Sequence, residues 1–97
     1  MFELEWTPKA QHAFNYLKNN ASEKKHYNAV RKTIALLAAD PHHNSLQTHE
    51  FKSLKGPKGE KVFEAYAEQN TPAAYRILWY YGTDKGVIKI FAITAHP

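Results

Sequence analysis

The sequence predicts an α+β domain in the order β-α-α-β-β-β, with an N-terminal helical hairpin packed on an antiparallel sheet. Three observations lead there. Residues 2–6 alternate Phe2, Leu4 and Trp6 against Glu3 and Glu5, the period of a half-buried strand. Two apolar stripes at helical spacing then run as far as Asp40. Beyond Gly59 come runs rich in aromatic and β-branched residues, with a glycine-flanked turn between the last two.

Each element has its own local cause. Thr7-Pro8 supplies a cap followed by proline at the first helical position. Ala10, Ala13, Phe14 and Leu17 follow at helical spacing up to the turn signal Asn19-Asn20. Ser22 opens a second helix, with Glu23 in its first turn and Tyr27, Val30, Ile34, Leu37 and Ala38 on one face. Asp40-Pro41 ends it, because the residue before a proline resists helical backbone. Two helices joined by a short turn make an antiparallel pair. Residues 42–60 are polar, contain Gly56, Pro57 and Gly59, and read as a long loop with a short structured piece around Leu46–Leu54. Three strands follow: Val62–Glu68, whose charges interrupt the pattern, then Tyr75–Tyr81 and Val87–Thr94. The hairpin loop Gly82-Thr83-Asp84-Lys85-Gly86 joins the last two. Phe14, Leu17, Val30, Ile34 and Leu37 are expected to cover Ile77, Trp79, Ile88 and Ile90, since each element has one apolar face to bury.

Composition bounds the function classes. A chain of 97 residues makes one domain, residues 1–97, and 43% hydrophobic content can build its core. There is no cysteine, so disulfides and thiolate metal sites are excluded and a cytoplasmic setting is expected. No apolar run approaches the ~20 residues of a membrane span, so no membrane partner is expected. Met1-Phe2-Glu3-Leu4-Glu5 lacks the basic and apolar segments of a secretory leader. The net charge of +4 suits an acidic or polyanionic partner, and equally a domain that is merely basic.

The order of these motifs resembles the RelE/ParE superfamily, the toxins of type II toxin–antitoxin systems. The likeness covers nearly the whole chain. It rests on Leu4-Glu5-Trp6-Thr7-Pro8-Lys9-Ala10 at the first strand and helix, and on Asp40-Pro41 after the second helix. It continues with Leu54-Lys55-Gly56, the strand Tyr75-Arg76-Ile77-Leu78-Trp79-Tyr80, and Ile93-Thr94-Ala95-His96 at the end of the last strand. The resemblance implies a toxin neutralised by a cognate antitoxin and active without a cofactor. One branch of the family cleaves mRNA on the ribosome and another poisons DNA gyrase without catalysis. The first expectation here is a ribosome-associated mRNA endonuclease that inhibits translation; the alternatives are a gyrase-directed toxin and an inactive member.

Metal-free RNA cleavage needs proton carriers and cations around the phosphate. His96 is the acid–base candidate, because imidazole titrates near neutrality and some family nucleases place a histidine there. Arg76 is the phosphate-stabilising candidate, or else a structural arginine bonded to a neighbouring element. Lys52, Lys55, Lys58 and Lys61 recur every third residue and could clamp an RNA backbone, with Lys55 inside the family signature. Tyr80 could stack on a base, whereas Trp79 belongs to the core. Two departures bear on the nuclease expectation. Lys52 stands where some family nucleases place a glutamate base, with Glu50 the nearest acid. The arginine and tyrosine that other members carry past the last strand have no counterpart after His96-Pro97. His42, His43 and His49 lack the spacing of a zinc site, so no metal is expected.

Overall fold

The computed structural model describes residues 1–69, 71 and 73–95. Strand β1 (Glu3–Trp6) leads into helix α1 (Pro8–Asn19). A single 3-10 turn, Ala21–Glu23, precedes helix α2 (Lys24–Ala39). A second 3-10 turn, Asn44–Leu46, precedes strands β2 (His49–Lys55), β3 (Lys61–Tyr66), β4 (Tyr75–Tyr81) and β5 (Val87–Ala95). The five strands form one sheet in the order β1-β5-β4-β3-β2.

The α+β architecture is the one the sequence predicts, with two differences. Residues read as loop include a strand: His49–Lys55 forms the edge of the sheet, antiparallel to β3. The sheet is also mixed, because β1 pairs parallel to β5, Glu3 opposite Val87 and Trp6 opposite Ile90. The second difference follows from the first. Each element turns back on the one before it, so every added element inverts the direction of all later ones. With β2 counted, six reversals separate β1 from β5, and an even number leaves them parallel.

Local chemistry sets the helix ends. The Thr7 side chain accepts a hydrogen bond from the Ala10 backbone N–H at 3.1 Å, and Pro8 fills the first turn, where a missing N–H costs nothing. The same hydroxyl donates to the Phe91 carbonyl at 2.8 Å, tying the helix start to β5. Thr7→Ala should therefore cost about 1 kcal/mol for the cap, with a further loss for the bond to β5. A urea midpoint unchanged from wild type would show that neither bond contributes. At the other end of α1, the Asn20 side-chain amide donates to the Tyr16 carbonyl at 2.7 Å.

The helices cover one face of the sheet. Ala10, Leu17, Val30, Ile34 and Leu37 bury against Ala65, Ile77, Trp79, Ile88, Ile90 and Ile93, with Phe14 and Tyr27 packed at the margin. These are the contacts expected from the apolar stripes. A bulge in β5 makes them possible: Leu78 faces Ala92 while Trp79 faces Ile90, leaving Phe91 as the extra residue. Ile90 and Ile93, three apart, thereby reach the same face. The opposite face carries a smaller cluster of Val62, Leu78, Tyr80 and Ala92, flanked by Phe51 and Phe91. Among the described residues no helix packs on this second face, and it is where the polar side chains of interest gather.

Candidate functional site

Strand alternation places Glu64 and Tyr66 of β3 and Arg76, Leu78 and Tyr80 of β4 on the helix-free face. Arg76 lies opposite Tyr66 and two residue pairs along from Glu64, on the same face, close enough for the guanidinium to bond the carboxylate. Its Nη1 donates to Glu64 Oε2. His49 of β2 lies opposite Glu64 on the other side, and its Nε2 is 2.8 Å from Glu64 Oε1. The Tyr66 phenol lies on the same face, within reach of the negative charge of Glu64. Burial, then the negative charge of Glu64, raises the Tyr66 pKa above the ordinary phenol value, so the group stays a neutral donor. One acid, only 3% exposed, thus takes Arg76 on one oxygen and has the His49 ring against the other.

Beside this centre lies a cleft of about 340 Å³. Phe51, Leu54, Leu78, Phe91 and Ala92 form its apolar walls, and Thr7, Lys9, Arg76 and Thr94 supply its polar groups. The Phe51 ring sits over the Arg76 guanidinium, 5.0 Å from centroid to Cζ, a cation–π distance. The Nε of Arg76 is buried with no hydrogen-bond partner. An arginine with one arm on a carboxylate, lining an apolar-walled cleft, can offer its remaining terminal donors to an anion attached to something flat.

The expected site residues fall into three groups. Arg76 is at the centre, bonded to a neighbouring strand and facing the cleft. Lys52, Lys55, Lys58 and Lys61 are all exposed on the hairpin of β2 and β3 and its turn. Lys55 and Lys61 are directly opposite one another, an arrangement of like charges that costs stability unless something anionic offsets it. Glu50 takes up part of that charge, 3.4 Å from Lys55 Nζ. The turn joining the strands bends at Gly59, whose φ of +84° disfavours any side chain. Tyr80 is 5% exposed, edge-on to Phe91 at 5.8 Å, so little of its ring is open for a base to stack on. His96 lies outside the described residues. The other histidines scatter: His42 bonds the Tyr81 hydroxyl and His43 bonds Ser45. Among the described residues no group of three His, Asp or Glu converges as metal ligands would.

Four residues of this site were not singled out from the sequence for these roles: Glu64, His49, Phe51 and Phe91. Glu64 left one trace. It is a lone acid between Val62 and Tyr66 in a strand otherwise built for burial, and the neighbouring strand carries a lone Arg76.

No family model matches the chain, and no curated protein sequence matches it. Solved structures do. A YoeB/ParE toxin from Agrobacterium tumefaciens superposes with a TM-score of 0.69 at 10% identity, over 98% of this chain and 99% of that one. The archaeal RelE–RelB complex from Pyrococcus horikoshii OT3 gives 0.64 at 15% identity, over 97% of this chain and 93% of that one. The YoeB dimer from Staphylococcus aureus gives 0.63 at 15% identity, over 99% and 98%. Identities this low speak to architecture rather than activity. The chain has the fold of the RelE/ParE toxin superfamily, along its whole described length.

Proposed function

We propose that this chain is the toxin of a type II toxin–antitoxin pair and that it stops translation in the cytoplasm by cleaving mRNA at the ribosome. The observation that carries this reading is Arg76: a guanidinium anchored to Glu64 by one arm and lining a cleft whose walls are aromatic and aliphatic. Single-stranded RNA offers what such a cleft accepts, a phosphate for the arginine and a splayed base for Phe51 or Phe91. The lysines of the β2–β3 hairpin lie exposed on the sheet edge that carries Phe51, where they can hold the flanking backbone by charge. His96, next to the end of β5, remains a candidate proton carrier in this reading. A cognate antitoxin fits the same features: a segment with acidic side chains would meet these lysines and cover the helix-free face. The RelE–RelB complex among the structural neighbours is an assembly of that kind by its name.

Induced expression with separate readouts of mRNA integrity, translation and DNA supercoiling tests the proposal. Wild type should fragment mRNA and stop translation while supercoiling stays intact. Arg76→Lys keeps the charge but loses the planar fork, and cleavage should fall roughly tenfold to a hundredfold. Growth arrest with intact mRNA and lost supercoiling would move the assignment to gyrase. No arrest at all, from a well-folded protein, would mark an inactive member.

A further inference from the structure

We propose that the outer surface of the helical layer is a second RNA-binding surface, which docks on the phosphate backbone of double-helical RNA while the helix-free face meets the message; the proposal rests on the ribosomal reading above. Charge is its first support. Residues 8–39 carry Lys9, Lys18, Lys24, Lys25, Arg31 and Lys32 against one acid, Glu23. The two helices therefore hold +5 of formal charge in a chain whose total is +4, and everything outside them sums to −1. The basic character of this protein belongs to its helical layer. Lys9, at the start of α1, also lines the Arg76 cleft and marks where the two surfaces meet.

Pairing is the second support. All six side chains are exposed, and among the described residues none is paired with a carboxylate. Glu23 is turned to His26 at 3.9 Å, and Asp40, just past α2, accepts from the backbone N–H of His42. The sheet treats its cations differently: Lys55 is held by Glu50, Arg76 by Glu64 and Lys89 by Glu5. Solubility alone is served by mixed charges, and here the cations are segregated instead.

Position is the third. Lys9 is in the first turn of α1, Lys24 and Lys25 are in the first turn of α2, and neither turn holds an acid. A cation is unfavourable at the positive pole of a helix dipole, and an anion relieves it. Lys24 and Arg31 are seven residues apart, as are Lys25 and Lys32, so the four form two rungs about 10 Å apart along one side of α2. Such a ladder repels itself and is offset by a row of negative charges, which a nucleic-acid backbone supplies.

What the surface lacks selects the partner. A protein interface is built around apolar and aromatic anchors, and among the described residues Tyr16 is the only large apolar side chain exposed on these helices. A duplex backbone is held by charge and shape and needs no anchor. Its bases stay stacked inside, so it fits a surface of cations without a stacking platform. A single strand suits the aromatic cleft instead.

Two variants that each remove four charges test the assignment. One is Lys24→Gln/Lys25→Gln/Arg31→Gln/Lys32→Gln. The other, Lys52→Gln/Lys55→Gln/Lys58→Gln/Lys61→Gln, takes the same charge from the β2–β3 hairpin. Glutamine is a good helix former, so the helical variant should keep the wild-type melting temperature. The probe is a blunt RNA duplex of about 16 base pairs, titrated across a salt series. The helical variant should bind it at least tenfold more weakly than wild type, with a salt slope shallower by roughly three to four. The hairpin variant should bind it as wild type does. On ribosome-bound message the helical variant should show a raised KM and an unchanged kcat. Equal loss in the two variants would mean that net charge, not this surface, holds the RNA, and would overturn the proposal. No loss in the helical variant would overturn it too, as would equal competition by a DNA duplex of the same sequence or by poly-glutamate. Failure of the nuclease reading looks different: wild type would bind the duplex and leave every message intact, so that reading falls while the surface stands.

Discussion

Glu64→Ala should lose about 3–5 kcal/mol of stability, read as a lower urea midpoint with an unchanged slope. The carboxylate is almost fully buried, bonded by Arg76 and faced by His49 at 2.8 Å. Removing it strands the Arg76 guanidinium, whose side chain is 13% exposed and whose Nε already lacks a partner. A buried charge left alone costs far more than the pair contributed while intact. Arg76→Ala should also destabilise, though less, because Glu64 keeps His49 beside it. The double variant Glu64→Ala/Arg76→Ala should be more stable than the sum of the single losses requires, since neither charge is then stranded. Strict additivity would mean that the two side chains do not depend on one another. Small domains are stable by about 5–15 kcal/mol, so Glu64→Ala alone could leave a substantial unfolded fraction at 37 °C.

Trp79→Ala should be at least as damaging, with a loss of about 3–5 kcal/mol. Trp79 is fully buried, stacked on Phe63 at 4.9 Å and edge-on to Tyr81 at 5.0 Å. It belongs to the core beneath the helices, where Ile77 and Ile90 also pack. Truncation empties a large volume that neighbouring strands cannot collapse into without breaking their ladder. Trp79→Phe should cost much less, because the Trp79 Nε1 is buried without a hydrogen-bond partner and phenylalanine removes that unmet donor. In a domain of this size each kcal/mol shifts the melting temperature by about 4–8 °C, so calorimetry separates the two variants. A phenylalanine variant as unstable as the alanine one would mean that the indole N–H finds a partner in solution.

The legible parts of the molecule are those whose signal is local. The alternation of Phe2, Leu4 and Trp6 marked β1, Thr7-Pro8 marked the start of α1, and Asp40-Pro41 marked the end of α2. The range Tyr75–Tyr81 is the observed β4 to the residue. In each case a period or a backbone restriction acts over a few residues, and tertiary structure had only to agree with it. The helix face that covers Ile77, Trp79, Ile88 and Ile90 was readable for the same reason.

What depended on distant pairing was not readable. Strand β2 is an edge, mostly exposed, and its Lys52, Ser53 and Lys55 carry no apolar alternation; it is a strand because β3 offers it a ladder. That one hidden strand changed the parity of the chain and so decided that β1 runs parallel to β5. Arg76 could be picked out as a functional candidate by its residue type and its motif. Its role in the site could not, because Glu64 is twelve residues away and His49 fifteen residues beyond Glu64 along the chain. Residue identity and local period determined which segments are helices and strands and which face each would bury. Only the register of β2, β3 and β4 determined that a histidine and an arginine share one carboxylate, because such contacts act over a few ångströms in space and leave no period in sequence.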